Sequence, residues 1–246
     1  MVRVKAAFIH LLLSACVVGL VLVLMLFVWY PHGFFKLLGG GDLLYIIAGV
    51  DVCLGPLLTL AVFNPAKKSL KLDLAIIGLL QISALLYGAH VMFQSRPVFS
   101  VLEENLFKVT LASDFKDDLE LNKASQDKWK SLSWSGPELV AAVAPTDPKV
   151  KQEMVFAAGS GADWNVFPKL FVSYDSQRQV ALRNAKPLNV LKALSVENRA
   201  SIERFEQKHP YKAYVYLPIV SGYIAMAAVL DAKNADFIEI LDVETP

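Results

Sequence analysis

The sequence predicts a membrane α-helical fold with three transmembrane helices, followed by an α+β extracytoplasmic domain. The chain has 246 residues, of which 55% are hydrophobic, and this share exceeds that of an average soluble protein. Only six of the 24 basic residues and three of the 23 acidic residues precede residue 95. We therefore assign residues 1–94 to a three-helix transmembrane domain and residues 95–246 to a water-exposed α+β domain.

Three apolar runs are long enough to cross a bilayer, since about 20 helical residues span a hydrocarbon core of ~30 Å. The first, Ala6 to Tyr30, contains no charged residue. The second, Leu43 to Phe63, is interrupted only by Asp51, and the third, Leu74 to Phe93, has no formal charge. A cleaved signal peptide is the alternative for the first run. Its length and the lack of a small-residue cleavage pattern favour an uncleaved helix.

The basic residues of the short connections predict the orientation, because lysine and arginine accumulate on the cytoplasmic side. Most of them lie before the first span or between the second and third: Arg3, Lys5, Lys67, Lys68 and Lys71. The connection between the first two spans contains only Lys36. We therefore expect a multi-pass protein of a bacterial inner membrane, with a cytoplasmic N-terminus and a periplasmic C-terminal domain.

The segment Ala213 to Leu230 has 18 uncharged residues and is a marginal candidate for a fourth span. Pro218 and the pair Ser221-Gly222 interrupt it, and its first half is rich in the aromatic and β-branched residues that favour strands. The sequence therefore predicts two strands joined by a turn at Ser221-Gly222, with a fourth membrane helix as the alternative.

The remaining elements of the C-terminal domain are predicted from local patterns. Two β-rich runs, Pro97 to Leu102 and Leu106 to Leu111, indicate a hairpin, and the polar stretch from Asp114 to Lys130 is compatible with a helix. Helices are predicted over three further segments: Asp147-Pro148 to about Ala158, Pro187 to Leu194, and Val196 to Gln207 with Ser195 as its cap. The domain contains no cysteine, so packing alone must hold it.

The chemistry-bearing residues argue against catalysis and against metal binding. The four histidines are scattered along the chain: His10, His32, His90 and His209. No two of them have metal-ligand spacing, and no cysteine accompanies them. The C-terminal domain is slightly acidic and has no basic stripe of the kind that nucleic acids require. We therefore expect no enzyme activity, no catalytic residue, no metal, no cofactor and no nucleic-acid partner.

Asp51 stands out, because a carboxylate in the middle of a membrane helix costs about 2.5–3.5 kcal/mol on insertion scales. Pro56 in the same helix lacks a backbone donor and leaves a carbonyl for another partner. Asp51, Thr59 and Gln81 are expected to form one polar site, which either contacts a partner helix or is satisfied inside the chain. The candidate internal partners are polar residues of the third span: Gln81, Tyr87 and His90.

Several segments, in order along nearly the whole chain, carry a resemblance to a known family. The most specific is Gly49-Val-Asp-Val-Cys-Leu-Gly-Pro-Leu-Leu-Thr-Leu-Ala-Val-Phe63. It is followed by Arg96-Pro-Val-Phe, Gly136-Pro-Glu-Leu and Tyr216-Leu-Pro-Ile-Val. These residues resemble the type IV pilin accessory protein family, of the TfpX/TfpZ type. The chain departs from the family at Glu104-Asn105, where a hydrophobic-Asp-Arg step is frequent.

The resemblance implies a chaperone-like inner-membrane protein that promotes the stability of a pilin and its assembly into type IV pili. The implied partner is the major pilin, contacted at its transmembrane helix and at its periplasmic head. The family has no established active site. As partner-binding residues we expect Asp51, Gly55, Pro56, Thr59 and Gln81. The alternative function is a membrane-anchored periplasmic module that binds a ligand or acts as a sensor.

Overall fold

The computed structural model describes residues 1–115, 119–159, 163–210 and 212–246, without the side chains of residues 43, 47, 154 and 156–159. The chain forms two compact units. The first comprises residues 1–28 and 39–94, and the second comprises residues 29–38 and 95–246. Residues 29–38, which contain the end of the first predicted span and most of the connection to the second, thus belong to the same unit as the C-terminal domain.

The first unit is helical. Within the described residues, three helices are long and apolar enough to cross a membrane: Val2–Trp29, Gly40–Val62 and Leu70–Gln94. The first consists of α1 (Val2–Leu24) and a π-helical end (Met25–Trp29). The second consists of α3 (Gly40–Ala48), a π-helical segment (Gly49–Leu54) and α4 (Gly55–Val62), and the third is α5 (Leu70–Gln94). The prediction of apolar N-terminal helices is confirmed.

The π-helical segment Gly49–Leu54 lies directly before Pro56. A proline ring collides with the carbonyl four residues earlier in an α-helix, and widening that turn relieves the collision. The wider register is visible in the backbone, since the amide of Gly55 donates to the carbonyl of Val50, five residues earlier. In this register the carbonyl of Asp51 faces the nitrogen of Pro56, which has no hydrogen to donate. The proline therefore leaves the Asp51 carbonyl without a partner inside its own helix.

The second unit contains one mixed sheet of eight strands within the described residues. The strands are β1 (Pro97–Glu103), β2 (Leu106–Leu111), β3 (Glu138–Ala142), β4 (Phe171–Ser173), β5 (Lys186–Pro187), β6 (Tyr214–Ser221), β7 (Ile224–Asp231) and β8 (Phe237–Leu241). Their order is β4-β3-β1-β2-β6-β7-β8, and β5 pairs with β6 off this path. The pairs β1–β3 and β2–β6 are parallel, and the other pairs are antiparallel.

Most of the predicted elements of this unit are present. The hairpin after the third helix is confirmed as β1 and β2. The uncharged run is two antiparallel strands, β6 and β7, that turn at Ser221 to Ile224, so a fourth membrane helix is excluded there. Ser195 accepts a hydrogen bond from the amide of Asn198 and thereby caps its helix as predicted.

The helices of the second unit are mostly short: α2 (Phe34–Leu37), α6 (Leu119–Asn122), α7 (Pro148–Gly159), α8 (Arg178–Asn184), α9 (Asn189–Lys192) and α10 (Val196–Lys208). The polar stretch from Asp114 to Lys130 does not form one helix. Its described residues contain α6, one 3-10 turn (Asp127–Lys130) and the last residue of another (Ala112–Asp114), and residues 116–118 lie outside the described residues. The predicted helix Pro187–Leu194 is reduced to α9, because Lys186 and Pro187 pair with β6.

The sheet curls strongly around its concave side. Phe107 on β2 and Phe237 on β8 are separated by two strands, which in a flat sheet puts them about 14 Å apart at normal strand spacing. Their ring centroids are only 5.8 Å apart. The short segment around α2 fills this concave side: Phe34 stacks on Phe237, and the amide of Ile240 donates to the carbonyl of His32 at 2.8 Å. The curl therefore encloses residues that are distant along the chain.

Candidate functional site

Four polar side chains of the first unit meet between its helices. The imidazole of His10 on α1 lies 2.6 Å from the Thr59 hydroxyl, measured from Nδ1. Its Nε2 lies 2.7 Å from Oε1 of Gln81 on α5. Because the Gln81 oxygen can only accept, Nε2 carries the hydrogen, and in the neutral ring the Thr59 hydroxyl donates to Nδ1. His10 thereby joins all three long helices through two hydrogen bonds.

The amide of Gln81 extends this network to Asp51. Its Nε2 donates to the backbone carbonyl of Asp51 at 3.1 Å, the carbonyl that Pro56 leaves without an intrahelical donor. The freed carbonyl that the sequence predicts is therefore present, and the third helix satisfies it. An unsatisfied backbone carbonyl in an apolar environment costs several kcal/mol, so this bond ties α5 to the π-helical segment.

Gly55 and Pro56 have a packing role in this arrangement. Both are buried. A Cβ atom placed on Gly55 would overlap the side-chain amide of Gln81. The glycine thus lets the amide reach the widened turn, and close approach of this kind is how helices associate in lipid.

The side-chain carboxylate of Asp51 differs from its backbone carbonyl in its hydrogen bonding. The residue is only 5% exposed, and its Oδ1 has no hydrogen-bond partner among the described residues. Asp51 also lines a cavity of ≈ 210 Å³ between the three helices. The other walls are formed mainly by small, polar and aliphatic side chains: His10, Leu13, Ser14, Val17, Gly78, Gln81, Ile82 and Leu85. A buried carboxylate oxygen beside such a cavity can accept a hydrogen bond from a group that enters it.

The structure thus brings together all five of the residues singled out in the sequence: Asp51, Gly55, Pro56, Thr59 and Gln81. Thr59 and Gln81 are engaged with His10, whereas Tyr87 and His90, the other candidate partners for Asp51, are exposed on α5. Sequence reasoning missed His10. Its role could have been inferred because each apolar run contains a polar residue able to pair with the others: His10, Thr59 and Gln81. Polar groups in lipid form hydrogen bonds with one another.

The described residues contain no group of three or more histidine, cysteine, aspartate or glutamate side chains that could hold a metal ion. In the first unit, Asp51 and His10 are linked through Gln81 rather than arranged around a common centre. His10, Thr59 and Gln81 thus form a hydrogen-bonded network beside a largely apolar cavity.

Comparison with known proteins identifies relatives of the whole chain. The family model described as fimbrial assembly protein FimB matches residues 1–39. The fimbrial assembly protein of serogroup I from Dichelobacter nodosus is 32% identical over 246 residues, which cover 98% of this chain and 95% of that protein. The serogroup E1 protein of the same organism is 30% identical with the same coverage.

A third relative, the Dichelobacter nodosus fimbrial assembly protein of serogroups C1 and C2, is 39% identical over 112 residues, or 45% of this chain and 86% of that protein. No solved structure matches the chain. The resemblance noted in the sequence to a family of pilus accessory proteins is confirmed at the level of the family. With two full-length relatives at 30% identity or more, this chain belongs to the fimbrial assembly protein family.

Proposed function

We propose that this protein is an inner-membrane assembly factor that binds a type IV pilin through its transmembrane helix and acts as its chaperone. The observation that supports the proposal best is the Asp51 carboxylate, which is buried beside a cavity while its Oδ1 has no partner among the described residues. A buried carboxylate without a full set of partners is costly, and residues of this kind inside membrane segments are functional by default.

Among the described residues, the hydrogen bonds that join the three helices do not use Oδ1 of the Asp51 carboxylate. His10, Gln81 and Thr59 already join the three helices, and the Asp51 backbone, rather than its Oδ1, takes part in that network. An asparagine, a serine or an alanine at residue 51 would offer Gln81 the same carbonyl. We infer that Oδ1 of the carboxylate is available to a group from outside the chain.

The walls of the cavity suit a helix as that outside group. Gly78 lines the cavity and has no atom within 4 Å of the position of a Cβ atom, and Ser14 is a second small residue in the wall. Small residues allow two helices to approach closely, and one polar contact then fixes their register. A pilin helix with a hydrogen-bond donor would fit this surface.

Such a contact is expected to be weak, which agrees with a chaperone role. Interhelical hydrogen bonds in membranes contribute about 0.6–2 kcal/mol. A second weak contact between the periplasmic domain and the pilin head would raise the overall affinity through effective concentration. Two linked weak contacts still allow the pilin to leave for the growing fibre.

This function requires three membrane crossings, a cytoplasmic N-terminus and a periplasmic C-terminal domain. Alkaline phosphatase fused after Pro246 should then be active, and green fluorescent protein at the same place should be dark. The opposite pattern would put the C-terminal domain in the cytoplasm and would remove the proposed contact with the pilin head.

The central experiment replaces Asp51 with alanine in the full-length protein, in cells that produce the pilin, because alanine has no side-chain oxygen that could accept the bond. We expect surface pili and pilin that co-purifies with the assembly factor to fall about three- to tenfold, as the loss of one membrane hydrogen bond allows. Asp42→Ala is the matched control, because Asp42 lies near the start of the same helix and is exposed. Normal pilin binding and piliation with Asp51→Ala would contradict the proposal.

Deletion of the protein separates this proposal from a sensor or ligand-binding role. An assembly factor that stabilises pilin predicts less pilin and fewer surface pili on deletion, with unchanged pilin transcript. A lower transcript with normal turnover of pilin would instead favour a signalling module. Photocrosslinkers at Leu13 and Ile82, which line the cavity, should trap the pilin helix.

A further inference from the structure

The concave side of the second unit holds another cavity, of ≈ 240 Å³, which takes no part in the membrane site. Its walls come from β1, β3 with the loop before it, β8, and the start of α2 with the segment before it. The curl of the sheet brings these parts together. The side chains that matter for its chemistry are Ser100, Phe34, Phe237 and Pro137, with His32 and Ser135 also in the lining.

Ser100 contributes to this cavity a buried hydroxyl group without a hydrogen-bond partner in the described part of the chain. The residue is 2% exposed, and its hydroxyl has no partner among the residues that the structure describes. Its neighbours on β1, Phe99 and Val101, belong to the apolar core on the other face of the sheet. A buried hydroxyl without a partner is destabilising, and a serine at this place is therefore better explained by a ligand group that bonds to it.

The remaining walls are aromatic and apolar. Phe34 and Phe237 are stacked, with ring centroids 6.1 Å apart and planes inclined by 14°, and such a pair offers ring edges and faces to a third aromatic ring. The cavity is smaller than the roughly 300–1,000 Å³ of ordinary small-molecule sites. Its size suits one inserted side chain.

The rim has the character of a protein contact surface. His32 and Ser135 are exposed, and the adjacent Trp134 is 71% exposed. Tryptophan and tyrosine are enriched where a partner side chain is inserted into a pocket at the centre of an interface. We propose that this cavity receives a tyrosine side chain of a partner protein, with its ring against Phe34 and Phe237 and its hydroxyl hydrogen-bonded to Ser100.

The test uses the purified full-length protein in detergent micelles and two small probes, N-acetyl-tyrosinamide and N-acetyl-phenylalaninamide. The tyrosine probe should bind about three- to tenfold more tightly, which is the ratio expected from one net hydrogen bond. Ser100→Ala should abolish this preference and leave the affinity for the phenylalanine probe unchanged. Because the substitution removes an unpartnered hydroxyl, the variant is expected to fold normally.

A second pair of variants tests the location. Ser135→Trp should block both probes by filling the mouth of the cavity, whereas Ser131→Trp, an exposed serine of the same loop outside the lining, should not. Equal affinity of the unmodified protein for the two probes, or no measurable binding of either, would overturn the inference. A tyrosine preference that survives Ser100→Ala would also overturn it. The outcome is independent of pilin binding in the membrane, because neither probe involves Asp51.

Discussion

The two units of this protein bury different proportions of polar and apolar residues. In the helical unit the buried positions include Ser14, Asp51 and Thr59, while large aliphatic side chains such as Leu20 and Leu79 are exposed. In the second unit the largest fully buried side chains are aromatic, with Trp129 and Tyr216 among them. An apolar surface with a small polar interior suits lipid as solvent, where helices gain little from burying leucine against leucine.

The comparison also indicates where each unit is sensitive to change. The second unit spreads its stability over two apolar clusters and a continuous sheet. The helical unit depends on a few polar and small residues around Gln81, so single substitutions there should have disproportionate effects.

Gly55→Leu should prevent the helical unit from folding. The new side chain would occupy the position of the Gln81 amide and so break the bond to the Asp51 carbonyl. Overpacking alone typically costs about 1–3 kcal/mol, and the lost bond adds to it. We expect little monodisperse protein by size-exclusion chromatography after extraction into detergent.

Gly49→Leu in the same helix is the control, because no atom lies within 4 Å of its Cβ position. It should yield close to the normal amount of folded protein. Equal yields for the two leucine variants would mean that contact with Gln81 does not limit the packing of these helices.

Gly33→Ala should be the most damaging alanine substitution in the segment before α2. Gly33 has φ of 93°, and a Cβ atom would lie 2.7 Å from the carbonyl oxygen of Ile240. We expect a cost of about 2–4 kcal/mol from combined backbone strain and overlap. The measurement is hydrogen exchange of the Ile240 amide, which donates to the His32 carbonyl.

Gly39→Ala separates backbone strain from steric overlap, the two causes of the stability loss expected for Gly33→Ala. Gly39 also has positive φ, of 65°, but no atom lies within 4 Å of its Cβ position. It should show only the conformational cost of about 1–2 kcal/mol. If both alanine variants lose the same stability, the close approach between Gly33 and β8 is not a significant contact.

Short sequence patterns predicted the elements whose formation depends on residues close together in the chain. The hairpin of β1 and β2, the Ser195 cap and the two strands that replace a fourth span all follow from patterns a few residues long. The apolar runs likewise predicted the three long helices, because the length of an uncharged segment is itself the signal.

Such patterns do not predict contacts between residues that are far apart along the chain. His10 pairs with Thr59 and Gln81, 49 and 71 residues away, and nothing near His10 distinguishes it from a solitary histidine. The packing of Phe34 on Phe237 depends on the curl of a sheet whose strand order no local pattern fixes. The candidate site was found in part because Pro56 and Asp51 lie in one helix, where the missing backbone donor can be read from the sequence.

His10→Leu should weaken the association of the three helices without abolishing it. The substitution removes two hydrogen bonds and leaves Thr59 and Gln81 short of partners, at a cost of about 1–2 kcal/mol in a membrane setting. A lower midpoint of thermal unfolding in detergent would report the loss. His90→Leu, an exposed histidine of α5, is the control and should leave the midpoint unchanged, and equal midpoints for both variants would contradict the role of His10.

Asp231→Asn should have the smallest effect, and its dependence on pH is the informative part. Asp231 ends β7, where its carboxylate accepts hydrogen bonds from the amide of Lys233 at 2.9 Å and from Nζ of Lys212 at 3.0 Å. These contacts, chiefly the backbone amide, hold the pKa of Asp231 below its usual value. We expect a loss of about 1 kcal/mol at pH 7, since solvent screens part of the charge.

The sign of the pH dependence follows from the lowered pKa. The folded state binds the proton of Asp231 less readily than the unfolded state, so the stabilisation is complete above the ordinary pKa near 4 and is lost as pH falls through the folded value. The difference in stability between Asp231→Asn and the unmodified protein, measured by hydrogen exchange in the turn 231–236, should shrink below pH 4.

Lys212→Met is the control for the ion pair. Because the Lys233 amide is the larger cause of the lowered pKa, Lys212→Met should reproduce less than half of the stability loss of Asp231→Asn. A Lys212→Met effect as large as that of Asp231→Asn would instead make the ion pair, and not the turn, the source of the stabilisation.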